Sequence, residues 1–196
     1  DGFWTSTVWL AAIADRPFLG DYEKFGPRGT NEYSFEALAY LPEQYIRGNL
    51  IESWEVTSEK ITWNIRKGVM FTGNEKIGMK PREYTADDCV FSLNYYLNSA
   101  PGKLARGYIA DVKKVGKYKV ELTFDHYDLT WMFYLGYEDR AAHIARETYE
   151  AGASKWENQV STGPWMIDEY VSGSYMSYKK NPNWWDTTKI DGVIYD

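Results

Sequence analysis

The stretch NLIESWEVTSEKITWNIRKGVMF, residues 49–71, decides the reading of this chain. Inside it Ile61, Trp63 and Ile65 alternate with Thr62, Asn64 and Arg66. A period of two sets the apolar side chains on one face of a half-buried strand and the polar ones on the other. RKGVMF continues the pattern past Gly68, a residue that can turn or bulge the backbone. A polar loop, FTGNEKIGMKPREY, follows, and then the period changes. In YTADDCVFSLNYYLNS, residues 84–99, Thr85 is a good N-cap, and Asp87 and Asp88 lie in the first turn, where the helix dipole favours negative charge. Asp88 stands three places after Thr85 and can act as the Glu of a capping box. Val90, Leu93 and Leu97 are spaced for one buried stripe. Strand, loop and capped helix in that order point to an α+β chain.

Farther along, ADVKKVGKYKVELTF (110–124) reads as two strands around Gly116, with Tyr118, Val120, Leu122 and Phe124 on one face. DLTWMFYLGY (128–137) is apolar enough for a short packed helix, with Trp131 in the core. ARETYEAGASKWEN (145–158) starts helical and breaks at Gly152. TGPWMIDEYVSGSYMSYKKN (162–181) reads as two antiparallel strands joined at Ser172-Gly173, and KIDGVIYD (189–196) as one strand. Toward the N-terminus, Trp9, Ile13 and the alanines between them allow a short helix. GDYEKFGPRGTNEYS (20–34) and LPEQYIRGN (41–49) read as loops, rich in Gly, Pro and charge.

Bulk composition narrows the class. The chain has 196 residues, 44% hydrophobic and 26% charged, which is neither a disordered nor a membrane composition. Its net charge is −6, with no basic stripe, which argues against a nucleic-acid partner. Cys89 is the only cysteine, so no internal disulfide can form. The first residues, DGFWTSTVWL, lack the basic and long apolar parts of a signal peptide, so the chain reads as mature or as part of something longer. Aromatic residues make up 17%, with nine Trp and seventeen Tyr. That excess suits a β-rich core, a wet binding cleft, or both.

Nothing in the sequence assembles a catalytic centre. Asp125, His126 and Asp128 converge poorly on a metal and read as a surface turn. His143 has only Glu147 at helical spacing and reads as part of a solvated helix face. Phosphate-cradling glycine motifs are absent, and Ser161-Thr162-Gly163 lacks the glycine pattern of a nucleophile elbow. We therefore expect no catalytic residues, no metal and no cofactor.

Five segments in order carry a resemblance: NLIESWEVTSEKITWNIRKGVMF, YTADDCVFSLNYYLN, VGKYKVELTF, STGPWMIDEYVSGSYMSYKKNPNWW and KIDGVIYD. In order and spacing this series resembles the family 5 extracellular solute-binding proteins, the dipeptide, oligopeptide and nickel receptors of ABC importers. The likeness covers about residues 49–196, and residues 1–48 match poorly. It implies a periplasmic-binding-protein-like first lobe of the peptide-binding type (class II), with a mixed β-sheet and packed helices. Residues 1–48 would be the N-terminal part of the sheet domain plus a loop insert. Residues 49–158 would be the smaller α+β domain, and residues 159–196 the return strands, with the second lobe absent.

The resemblance implies a substrate-capture subunit that binds a peptide-like solute in an interlobe cleft without chemistry. Its partners would be ABC permease subunits. Its place would be periplasmic or extracellular, with or without a lipid anchor at the membrane surface. It carries ligand contacts onto Phe3 and Trp4, onto Arg106 and Tyr108, and onto Tyr137, Asp139 and Arg140. A receptor for oligosaccharides and a carbohydrate-binding module of a larger enzyme stay open as alternatives. Trp54, Trp63, Trp165 and Trp185 fall in the family's strands and motif positions. In KNPNWWDT (180–187) the same likeness predicts Trp185 buried as a plug and Trp184 partly exposed.

Overall fold

A computed structural model describes residues 10–36, 40–137, 141–190 and 193–195. Contacts gather the chain into two compact units. The first comprises Asp1–Asp15, Lys67–Tyr84 and Ile144–Asp196, and the second comprises Arg16–Arg66 and Thr85–His143.

The second unit opens with strand β1 (Phe18–Gly20) and a single helical turn α1 (Tyr22–Phe25), where a loop was expected. β1 pairs antiparallel with β2 (Ile46–Gly48), also read as loop. These three-residue strands carry too short a pattern to register in the sequence. The alternating stretch then behaves as its period dictates. β3 (Ile51–Val56) and β4 (Lys60–Ile65) form a hairpin with Trp54 opposite Trp63. β4 also pairs with β6 (Lys119–Phe124), which pairs with β5 (Ile109–Gly116), giving an antiparallel sheet ordered β3-β4-β6-β5. Ile61, Trp63, Val120 and Leu122 are fully buried on it. Burying each such side chain contributes about 1.5–3 kcal/mol.

Helix α2 (Ala86–Asn98) starts where its cap predicts. The Thr85 N–H donates to Asp88 Oδ2 at 3.0 Å, and the Thr85 hydroxyl donates to the same oxygen at 3.3 Å. Its buried stripe runs through Ala86, Cys89, Leu93, Tyr96 and Leu97, with Val90 at the margin. The stripe packs on β5 and β6, so the helix lies over the sheet. A short α3 (Lys103–Arg106) follows, and α4 (Phe133–Tyr137) is a π-helical turn whose approach carries the buried Trp131. Phe18 is the hub of this core, meeting Trp54, Trp63 and Trp131 edge-on at 4.9, 5.4 and 6.0 Å. Gly136 lets α4 reach that ring, since a Cβ there would collide with it. His143 is 2% exposed, which corrects the solvated helix face expected for it.

The strand pattern of residues 49–71 stops at Ile65, at the edge of the second unit, and Gly68 (φ +79°) turns the chain as it enters the first. Met70–Phe71 then pairs with Arg82–Glu83. Arg82 lies over the Phe71 ring and holds Glu147 with a two-pronged contact, 2.7 Å on each arm. Glu147 sits in α5 (Arg146–Gly152). That contact, more than any other effect, holds the Glu147 carboxyl below its usual range.

The unit is closed by the carbonyl of Ile13. It accepts from the Ser161 hydroxyl at 2.6 Å, the Thr162 N–H at 3.1 Å and the Gly163 N–H at 3.0 Å. A Cβ on Gly163 would sit 3.0 Å from Ala12 O, so the glycine of TGP keeps this close approach free of a crowded contact with backbone. Strands β7 (Trp165–Val171) and β8 (Tyr175–Lys180) form the predicted hairpin, turned at Gly173 (φ +75°). KIDGVIYD departs from the single strand expected. It contributes to two short strands, β9 (Thr188–Ile190) and β10 (Val193–Tyr195), paired antiparallel. Trp185 is half-buried, not the buried plug predicted, because its indole N–H reaches out to Asp15 Oδ2 at 3.3 Å. Trp184 is half-buried, as expected. Among the described residues no helix is long and apolar enough to cross a membrane, and no group of three His, Cys, Asp or Glu could hold a metal ion.

Candidate ligand-facing site

Three of the seven residues singled out from the sequence fall among the described ones, and all three lie in the second unit. Arg106 ends α3 and is exposed. Its helix packs against α4, the element that ends in Tyr137. Tyr108, two residues on, is 3% exposed, and among the described residues its hydroxyl finds no hydrogen-bond partner of good geometry. Burial, with the charge of Asp128 adding to it, pushes that phenol well above its ordinary range. Tyr108 is therefore a neutral, buried group near the root of the site, not an open contact. Phe3, Trp4, Asp139 and Arg140 lie outside the described residues.

Tyr137 is half-buried and sits in a constellation that the sequence did not disclose. Arg16 Nη1 donates to the Tyr137 carbonyl at 2.7 Å, and its guanidinium stands 5.5 Å from the centre of the same residue's ring. The hydroxyls of Tyr22 and Tyr137 lie 3.5 Å apart. Tyr22 stacks obliquely on Phe35 at 4.5 Å, and Phe35 meets Tyr33 at 5.1 Å. Tyr33 stacks on Tyr45 at 4.3 Å, and Phe133 bridges Tyr40 at 5.6 Å and Tyr137 at 5.8 Å.

The segment between β1 and β2 is thus a layer of rings resting on α4. Phe35 takes a left-handed backbone (φ +49°), a strained choice for a bulky residue, and its ring covers Gly20, where no Cβ would fit. The density of aromatics in residues 22–45 was the available signal, but it has no period to reveal which rings meet. Chemically, the layer offers flat apolar faces, phenolic hydroxyls and one guanidinium. Among its described residues there is no nucleophile–base pair.

Four findings place this chain among known proteins. The family model described as bacterial extracellular solute-binding proteins, family 5 Middle, matches residues 46–196. The dipeptide-binding protein of Escherichia coli K12 is 28% identical over 170 residues, covering 74% of this chain and 31% of that protein. The periplasmic binding protein DppA of Helicobacter pylori, solved with the peptide STSA, superposes with a TM-score of 0.70 at 16% identity over 95% of this chain and 36% of its own. MoaA of A. tumefaciens R10, solved with mannopinic acid, superposes at 0.71 with 18% identity, over 94% and 34%. The chain therefore spans about a third of the length of these relatives. The two superpositions bear on the fold, an α+β arrangement shared with periplasmic binding proteins. The family match covers most of the chain, and the chain belongs to the bacterial extracellular solute-binding proteins, family 5.

Proposed function

We propose that this chain is part of the solute-capture receptor of an ABC importer, working outside the cytoplasm and binding a peptide-like solute without transforming it. The family match over residues 46–196 carries this reading. The peptide preference is supported by the descriptions of two relatives, one a dipeptide-binding protein and one solved with a peptide. The structure solved with mannopinic acid keeps other small organic solutes within reach of the same fold.

In this reading the chain supplies one wall of an interlobe cleft, residues 1–48 and 159–196 belong to the sheet domain, and residues 49–158 form the smaller domain. Arg106 and Tyr137 are the described candidates for ligand contact, with the buried Tyr108 beside Arg106 in the chain, and the family likeness adds Phe3, Trp4, Asp139 and Arg140 as candidates. A second lobe would close over them and expel water, the step that makes such contacts strong. Permease subunits would receive the closed form.

A thermal-shift screen of the full-length protein against di- to pentapeptides, opine-type sugar conjugates and oligosaccharides tests this. Ligand binding raises the melting temperature by mass action. Stabilisation by peptides at micromolar concentration is expected. Stabilisation by oligosaccharides alone would replace the peptide reading, and turnover of a glycoside would end the receptor reading altogether.

A further inference from the structure

Two loops of the second unit, 40–43 and 127–129, meet at the surface. The Tyr40 hydroxyl donates to the Leu129 carbonyl at 3.4 Å, and the Tyr40 ring lies 5.6 Å from that of Phe133. Tyr127 stands edge-on to Phe124 at 5.4 Å and so is fixed from beneath. Large apolar side chains remain uncovered here: Tyr40 is 48% exposed, Tyr127 44% and Leu129 75%. A patch of this kind on a monomer marks a place where something binds.

Charge decides what. The loops carry the carboxylates of Glu43 and Asp128. Both raise the Tyr40 phenol after the larger effect of burial, so both act on the patch itself. Asp128 is held in place by the backbone N–H of Thr130, which donates to it at 2.8 Å. Neither carboxylate has an ion-pair partner among the described residues, and no described cation stands over Tyr40, Tyr127 or Phe133. Elsewhere in the unit the chain fills such a position itself, with Arg16 over Tyr137 and Lys117 over Tyr118. Ring faces attract cations, most of all where carboxylates add their charge and water is partly excluded.

We infer that the surface of Tyr40, Tyr127, Leu129 and Phe133, with the carboxylates of Glu43 and Asp128, binds a small organic cation with an apolar body, such as an alkylguanidinium or alkylammonium. The rings and Leu129 take the apolar body, and the two carboxylates take the charge. The site does not depend on the receptor reading and is complete within the second unit.

Titration of the 196-residue chain with n-butylguanidinium, followed by amide chemical shifts, tests it, with neutral n-butylurea as the isostere. We expect butylguanidinium to bind at least tenfold more tightly than butylurea. Shift changes should centre on residues 40–43 and 127–130. Glu43→Gln and Tyr40→Ala should each weaken binding severalfold. Equal affinity for the two probes, shift changes confined to other residues, or unchanged binding by Glu43→Gln would each overturn the inference. Should Tyr40→Ala disturb the fold, Glu43→Gln, at an exposed position, decides alone. The peptide screen of the full-length protein can succeed or fail independently of this titration.

Discussion

Two hairpins in this chain are built alike and buried very differently. In the second unit, β4 contributes Ile61, Trp63 and Ile65 to the core, each at most 2% exposed. In the first, the β7–β8 hairpin has Trp165 at 46%, Tyr170 at 41%, Val171 at 39% and Tyr175 at 48%. Both segments are rich in aromatic and β-branched residues, so strand propensity does not separate them. The difference is in what lies over the face. β4 is flanked on both edges by β3 and β6 and covered by Phe18, whose ring meets Trp63 at 5.4 Å, whereas among the described residues the β7–β8 hairpin pairs only with itself. An apolar strand is a stabilising element only to the extent that other elements remove it from water.

The contrast can be broken first at its two tryptophans. Trp63→Ala should cost about 3–5 kcal/mol, the penalty for a large buried side chain, and lower the thermal midpoint sharply. Trp165→Ala, measured the same way, should cost less than about 0.5 kcal/mol. Similar losses at the two sites would mean that the hairpin is covered in solution by something the contacts above do not include.

The second unit should also answer to pH through His143. Burial depresses its pKa from 6.5 to about 3, so the folded state holds the ring neutral while the unfolded chain takes up a proton below 6.5. Stability from this group is present above pH 6.5 and is lost as the pH falls toward 3. Between pH 7 and pH 5 the loss should be about 2 kcal/mol, read from urea midpoints at the two pH values. His143→Gln should flatten that slope, and an unchanged slope would show that another group sets it.

In the first unit the corresponding point of dependence is a hydrogen bond. The Ser161 hydroxyl lies within 2.6 Å of both Ile13 O and Trp165 O. Ser161→Ala should cost about 1 kcal/mol, a loss read by amide exchange at Thr162 and Gly163, with little change at β4. Equal loosening of both units would show that they unfold as one.

How much of this was written in the sequence depends on whether a residue's partner is near it in the chain. The α2 cap was legible because Thr85 and Asp88 are three places apart and bond to each other. β4, β5 and β6 were legible because their alternation reports burial directly. The ring layer of residues 22–45 was not, since Tyr22 finds Tyr137 at a separation of 115 residues and Phe35 relies on an absent side chain at Gly20. His143 was misread because helical spacing to Glu147 suggested a helix face, while burial is set by packing that spacing does not encode. Trp185 was taken for a plug by likeness alone, and its indole N–H instead found Asp15, 170 residues away.

The bond from Ser161 to the Ile13 carbonyl spans 148 residues, and that separation is also a delay. At a synthesis rate of roughly 5–20 residues per second, Ser161 emerges about 7 to 30 seconds after Ile13. Both stretches of the second unit, Arg16–Arg66 and Thr85–His143, are made within that interval. The β3-β4-β6-β5 sheet can therefore close while Ile13, 1% exposed in the finished protein, still waits for its cover. The nascent chain therefore carries an unburied apolar turn at Ile13 while the whole second unit is being made.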